Sequence, residues 1–236
     1  PYHRAEDVIP MKRRWPEVLW AMSGPVGVIF WWMAFFYAPR EREMGDVQRI
    51  FYMHMPMAWT SLLAYGVSAV WHGLYLWKRQ VRWLFHGWAC VWVGVVTNAL
   101  VLVTGMCWAR PIWGSWWPWE PRLTTTFLMF IMYAAYLVLF AVLLPEGRTL
   151  GIVAYNLFSA VNLPVVYLAP RLWRGLHPVV IEGGQVRLEP AMWHTVLVGW
   201  LWSLLWALLL GFVADRISWA RFRWAQWLWS GGVSDA

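Results

Sequence analysis

LTTTFLMFIMYAAYLVLFAVLL, residues 123–144, runs for 22 positions without a charged side chain. An α-helix rises about 1.5 Å per residue, so about 20 such residues cross the roughly 30 Å hydrocarbon core of a bilayer. Lipid offers the backbone no hydrogen-bond partners, so an apolar stretch of this length reads as a transmembrane helix. Five more runs have the same character: Val18 to Ala38, Met57 to Trp77, Phe85 to Trp108, Thr149 to Ala169 and Trp193 to Ala214. Short polar segments such as PREREMGD, KRQVR and PEGR, and a longer one from Pro170 to Met192, separate them.

The whole composition agrees with that reading. Of 236 residues 61% are hydrophobic and 13% charged, with a mean hydropathy of +0.47, which excludes a water-soluble domain. The expected architecture is all-α: a polytopic membrane bundle of six transmembrane helices forming a single domain over 1–236. The first run follows KRR but is longer than a signal-peptide core and lacks a small-residue cleavage site, so it reads as a retained helix. The net charge of +7 is scattered between the spans, which suits anionic lipid and not nucleic acid. Cys90 and Cys107 both fall in the third run, which leaves neither a metal-ligand spacing nor a redox CxxC.

Six spans put both termini on one side. Of the 19 Lys and Arg residues, eleven fall on the terminal side and eight on the other, so the termini are expected to be cytoplasmic. His54, the tryptophan-rich segment at 109–122 and His177 then share the extracytoplasmic face. The stretch from Arg216 to Ala236 mixes arginine with tryptophan and reads as a cytoplasmic interfacial tail.

WGSWWPWEPR, residues 113–122, holds Trp113, Trp116, Trp117 and Trp119 together with Glu120 and Arg122, punctuated by Gly114, Pro118 and Pro121. An interfacial aromatic belt accounts for most of the 24 tryptophans in the chain. It gives no reason for a loop of fixed shape with an acid and a base beside it. Six histidines add a second signal. His3 sits in a polar tail, and His72 and His86 flank KRQVR, where they read as residues of the cytoplasmic interface. His54, in RIFYMHMPMAW just before the second span, and His177, in RLWRGLHPVV just after the fifth, lie at the outer boundary, with His194 in reserve.

Haem is a large apolar disc whose iron takes two axial imidazoles and whose propionates need positive partners. Histidine pairs, aromatic faces and arginine forks are the groups that would hold it. Arg49, five residues before His54, and Arg122 are placed for the propionates. No CxxCH occurs, so attachment is expected to be non-covalent. Glu120 could orient an indole N–H, pair with Arg122 or meet a partner.

WGSWWPWEPRLT resembles the tryptophan-rich signature of haem-handling membrane proteins, and RIFYMHMPMAW and VNLPVVYLAPRLWRGLHP resemble the segments around the two haem-ligating histidines of the CcmC family. The resemblance implies a component of bacterial cytochrome c maturation in the cytoplasmic (inner) membrane, without catalytic chemistry of its own. It implies non-covalent haem b with His54 and His177 as axial ligands, and Trp113, Trp116, Trp117 and Trp119 as its platform. Glu120, Arg49 and Arg122 match positions beside these elements. It further implies delivery of haem to the periplasmic chaperone CcmE and a complex with CcmA, CcmB and the small membrane protein CcmD. The signature usually ends in aspartate, so Glu120 sets its carboxylate one methylene further out.

Two alternatives remain at this point: a membrane b-type cytochrome in electron transfer, and a small-molecule transporter. The first wants ligands deep in the spans. The second wants broken helices or mid-membrane charge, and the spans offer only Asn98, Asn156 and Asn162.

Overall fold

A computed structural model describes residues 14–173 and 175–229, so His3, Arg174 and the last residues of the expected tail, 230–236, lie outside the described residues. Helix α1, Trp15–Trp32, widens into a π turn, Met33–Tyr37. A 3-10 turn at Asp46–Gln48 leads into α2, Arg49–Lys78, followed by α3, Val81–Trp113, and α4, Pro121–Leu143. The fifth apolar run divides into α5, Thr149–Ala160, and α6, Asn162–Leu172. The last helix, α7, spans Pro190–Trp229.

Among the described residues, five helical segments are long and apolar enough to cross a membrane: Trp15–Tyr37, Val81–Trp113, Pro121–Leu143, Thr149–Leu172 and Pro190–Ala220. The remaining run of the sequence reading, Met57 to Trp77, is α2. Its 30 residues are ample in length, but it carries buried Thr60, Ser61, Ser68 and His72 and the buried tyrosines Tyr52, Tyr65 and Tyr75. α2 lies along α3 and also meets α5 and α7, and Thr60, Ser68, His72 and Tyr75 find hydrogen-bond partners on other helices.

His72 shows how. Its Nδ1–H donates to the Ser68 carbonyl at 2.7 Å and its Nε2 accepts from Tyr136 Oη–H at 2.8 Å. Ser68 donates to the Gly87 carbonyl at 2.9 Å and accepts from the Asn156 amide at 3.0 Å, tying α2 to α3 and α5. His72 is therefore a fully buried packing residue and not the interfacial one expected from its neighbours KRQVR. Small residues let the helices approach this closely: a Cβ on Gly87 would run into the His72 ring, and one on Gly94 into that of Tyr65.

Three further departures from the sequence reading have local causes. The α5–α6 break falls at Val161, because the Pro164 ring would clash with the Ala160 carbonyl four residues back in a continuous helix. The segment after α6 contains a short two-stranded hairpin, β1 Ile181–Glu182 and β2 Gln185–Val186, beside an otherwise all-α bundle. Gly183 and Gly184, at φ 59° and 79°, form its two-residue turn, a conformation that favours glycine. Finally, residues 216–229 continue α7 without interruption.

Candidate functional site

Five segments meet at one end of the bundle and enclose a cavity with about 1440 Å³ of empty space, part of it open to solvent. They are the first turns of α2, the last turns of α3 with the tryptophan segment, the start of α4, the end of α6, and residues 177–181. Most of the wall is apolar, including Phe51, Met55, Leu62, Leu102, Met106 and Val166.

The tryptophan segment is shorter as a loop than its prolines suggest. α3 runs through Pro111 to Trp113 and ends at Gly114, whose φ of 73° closes the helix with an N–H bond to the Arg110 carbonyl at 3.1 Å. Pro121 then takes the first position of α4, where a missing N–H costs nothing. Only residues 114–120 are non-helical, pinned by a helix end on each side.

Glu120 is the N-cap of α4. Its Oε1 accepts from Leu123 N–H at 2.8 Å, while Oε2 is buried without a hydrogen-bond partner. The loop that carries His177 packs on this carboxylate: a Cβ on Gly175 would lie 2.6 Å from Oε2. The role of Glu120 is thus to start α4 beneath the cavity.

The four tryptophans of the motif do not act as one surface. Trp113 and Trp117 line the cavity, joined by Trp59 and Trp108, which their sequence context does not single out. Trp108 and Trp113 meet edge to face at 4.9 Å. Trp116 and Trp119 face away, 58% and 74% exposed.

His54 and His177 both reach the cavity, with ring centroids 6.4 Å apart and planes inclined at 39°. His54 lies within the second turn of α2, because that helix starts at Arg49, eight residues before the apolar run. Its Nδ1 is 3.0 Å from Thr104 Oγ on α3. His177 sits in the loop after α6, edge-on to Trp113, and its Nδ1 is buried with no hydrogen-bond partner. Burial, then the Arg122 and His54 charges beside it, hold its pKa well below 6.5, so the ring is neutral and keeps a lone pair.

This donor set fits a metalloporphyrin. A metal–imidazole bond is about 2.0–2.1 Å and the ring centre lies about 1.1 Å further, so imidazoles on either side of one ion have centroids roughly 6 Å apart. No group of three His, Cys, Asp or Glu able to hold a metal occurs among the described residues. Two imidazoles on an apolar cavity therefore suit an ion that brings its own equatorial donors.

The arginines divide. Arg122 lines the cavity, half-buried, and makes no ion pair or hydrogen bond among the described residues. Arg171, which the sequence reading counted only as a loop charge, lines it too, steadied by bonds to the Tyr167 and Ile181 carbonyls at 3.1 and 3.0 Å. Arg49 is not part of the lining. It donates to the Ala34 carbonyl and pairs with Asp46 at 3.2 Å, joining the π turn of α1 to the start of α2. His194 is likewise outside the cavity, stacked on Tyr37 with its Nδ1 3.1 Å from the phenol oxygen. His86 pairs with Asp215 at 2.8 Å.

Comparison with known proteins identifies the family of the chain. A family model described as Heme exporter protein C (CcmC) matches residues 1–228. The chain is 31% identical over 185 residues to Heme exporter protein C of Escherichia coli strain K12, covering 76% of this chain and 72% of that protein. It is 33% identical over 156 residues to the protein of the same name from Haemophilus influenzae, covering 64% and 61%. With Bradyrhizobium diazoefficiens Heme exporter protein C it shares 31% identity over 142 residues, 59% of this chain and 54% of that one. The chain is a multi-pass helical membrane protein that belongs to the heme exporter protein C (CcmC) family.

Proposed function

We propose that this chain holds non-covalent haem b in the cavity, with His54 and His177 as axial ligands, and hands it to the periplasmic chaperone CcmE for c-type cytochrome biogenesis. The observation that carries the reading is the pair of imidazoles with centroids 6.4 Å apart on an apolar wall. Bound haem supplies the iron and two propionates. His54 and His177 present ring nitrogens, Trp113 and Trp117 cover apolar surface, and Arg122 and Arg171 offer charge to carboxylates. A half-buried guanidinium beside two histidines, with no direct ion pair among the described residues, favours an anionic guest.

In this reading α2 is the sixth span and both termini are cytoplasmic, which puts the cavity at the extracytoplasmic face of the inner membrane. Trp116 and Trp119 then project toward the periplasm, where a chaperone would dock. CcmA, CcmB and CcmD are the further partners that membership of the family suggests. The deciding experiment is a visible absorption spectrum of the purified protein with and without dithionite. A Soret band with low-spin α and β bands on reduction supports the reading, and a colourless protein that takes up no added haemin refutes it.

A further inference from the structure

Thr104 stands on α3 with its hydroxyl oxygen between two groups: the Leu100 carbonyl at 2.6 Å and His54 Nδ1 at 3.0 Å. A carbonyl oxygen only accepts, so the single hydroxyl proton of Thr104 is directed to Leu100. The nearby Val101 carbonyl, at 3.3 Å, leaves this unchanged, because it too is an acceptor. The Thr104 oxygen is then an acceptor toward His54, and the proton between them belongs to Nδ1. A neutral imidazole carries one N–H, so Nε2 is left as the bare lone pair.

The ring is also held from below. A Cβ on Gly105 would lie 3.2 Å from His54 Cε1 and 3.7 Å from Nδ1, so the Nδ1 edge of the imidazole rests against α3 at Thr104 and Gly105. Nε2, on the other side of Cε1 from Nδ1, makes no hydrogen bond among the described residues, and His54 lines the cavity.

We infer that Thr104 is a positioning residue for the metal ligand His54: it fixes the Nδ1–H tautomer, seats the ring against Gly105, and so presents Nε2 as the iron donor. This rests on the haem-ligating reading of His54. A hydrogen bond from Nδ1–H to an oxygen also raises the basicity of the coordinating nitrogen, and loss of such an outer partner typically weakens metal binding about 10–100-fold. His177, whose Nδ1 has no partner, lacks this support. The two ligands are therefore unequal, with His54 the fixed one and His177 the one more readily released.

The test compares the unsubstituted protein, Thr104→Val, Thr104→Ser and His54→Ala, purified in detergent. In haem-free protein with ¹⁵N-labelled histidine, the His54 signal should show a protonated Nδ1 and a bare Nε2. A protonated Nε2 there overturns the inference without any variant or any haem. With haemin added, Thr104→Val should bind about tenfold more weakly. If that loss is confined to the ferric state, the midpoint potential rises by about 59 mV. Thr104→Ser, which restores the acceptor, should match the unsubstituted protein in affinity and potential. If Thr104→Val matches it as well, while His54→Ala loses the six-coordinate low-spin spectrum, Thr104 is only a packing residue and the ligand assignment stands. If His54→Ala keeps its bis-imidazole spectrum, the ligand assignment falls and this inference falls with it.

Discussion

His54 on α2 and His177 in the loop after α6 are 123 positions apart in sequence, yet their imidazoles lie with centroids 6.4 Å apart and planes inclined at 39°. The helix supplies a rigid mount for the first, and the second hangs on a segment anchored by the Glu120 cap. His54 Nδ1 is bonded to Thr104, whereas His177 Nδ1 is buried without a partner, a cost of about 1–3 kcal/mol.

Replacement of both histidines by alanine should therefore abolish the Soret band of the purified protein. The single variants should each shift the spectrum from six-coordinate low spin toward a five-coordinate form. Full haem content in the double variant would remove both residues from the iron.

Arg122 is the cavity guanidinium without a bond in the described residues, and Arg171 is its neighbour on the wall. A charge-assisted hydrogen bond contributes about 1.5–3 kcal/mol, so Arg122→Leu should weaken haem retention roughly 10- to 150-fold. Arg171→Leu should have a smaller effect, since that side chain is exposed and already bonded to two carbonyls. Arg49→Leu should leave retention nearly unchanged and loosen the α1–α2 junction instead. Equal losses at Arg49 and Arg122, measured by haem transfer to apomyoglobin, would return Arg49 to the propionate set.

Glu120 buries its carboxylate, 6% exposed, to cap α4. Loss of an N-cap costs about 1 kcal/mol, so Glu120→Ala should lower the thermal midpoint in detergent while Glu120→Gln, which keeps an acceptor, loses less. Gly175→Ala should reduce haem retention more than stability, because the added methyl presses on Oε2 and displaces the segment leading to His177. An unchanged melting curve for Glu120→Ala would assign that carboxylate to something other than helix capping.

Much of this was legible in the sequence because the bilayer imposes length and apolarity directly. The runs at 57–77, 85–108 and 193–214 lie within observed helices, and those at 18–38 and 123–144 overrun theirs by one residue. The two histidines and the tryptophan motif were marked by position and by clustering. What could not be read was which side of each element faces inward. The early start of α2 and the extension of α3 to Trp113 come from packing, not from hydropathy, and they decide that Trp113 and Trp117 turn in while Trp116 and Trp119 turn out. Arg171 was hidden for a similar reason, since its place on the wall follows from the break at Val161. Pro164 and the Gly183–Gly184 pair were readable signals of that break and of the hairpin.

Sidedness is open to a direct measurement. In a background lacking Cys90 and Cys107, single cysteines at positions 42, 115 and 184 should react with an impermeant maleimide in intact spheroplasts, and cysteines at positions 79 and 147 should react only after lysis. The positions lie in the segments that join helices at the two ends of the bundle. The reverse pattern would place the cavity on the cytoplasmic side.

The division of the tryptophans separates holding haem from passing it on. Indole has no lone pair for iron, so neither pair ligates. Trp113 and Trp117 line the cavity, and their loss strips apolar surface from the guest; the double change Trp113→Ala with Trp117→Ala should lower haem content. Trp116 and Trp119 are exposed on a loop closed at one end by Gly114 and at the other by the Glu120 cap, so they meet a partner with little ordering cost. Trp116→Ala with Trp119→Ala should keep both haem content and the bis-histidine spectrum, yet slow transfer to the purified haem chaperone at least tenfold. Both quantities are to be measured on the same preparation. If the exposed pair lowers content as much as the lining pair, the loop closes over the haem; if it alters neither content nor transfer, Trp116 and Trp119 belong to the interfacial belt.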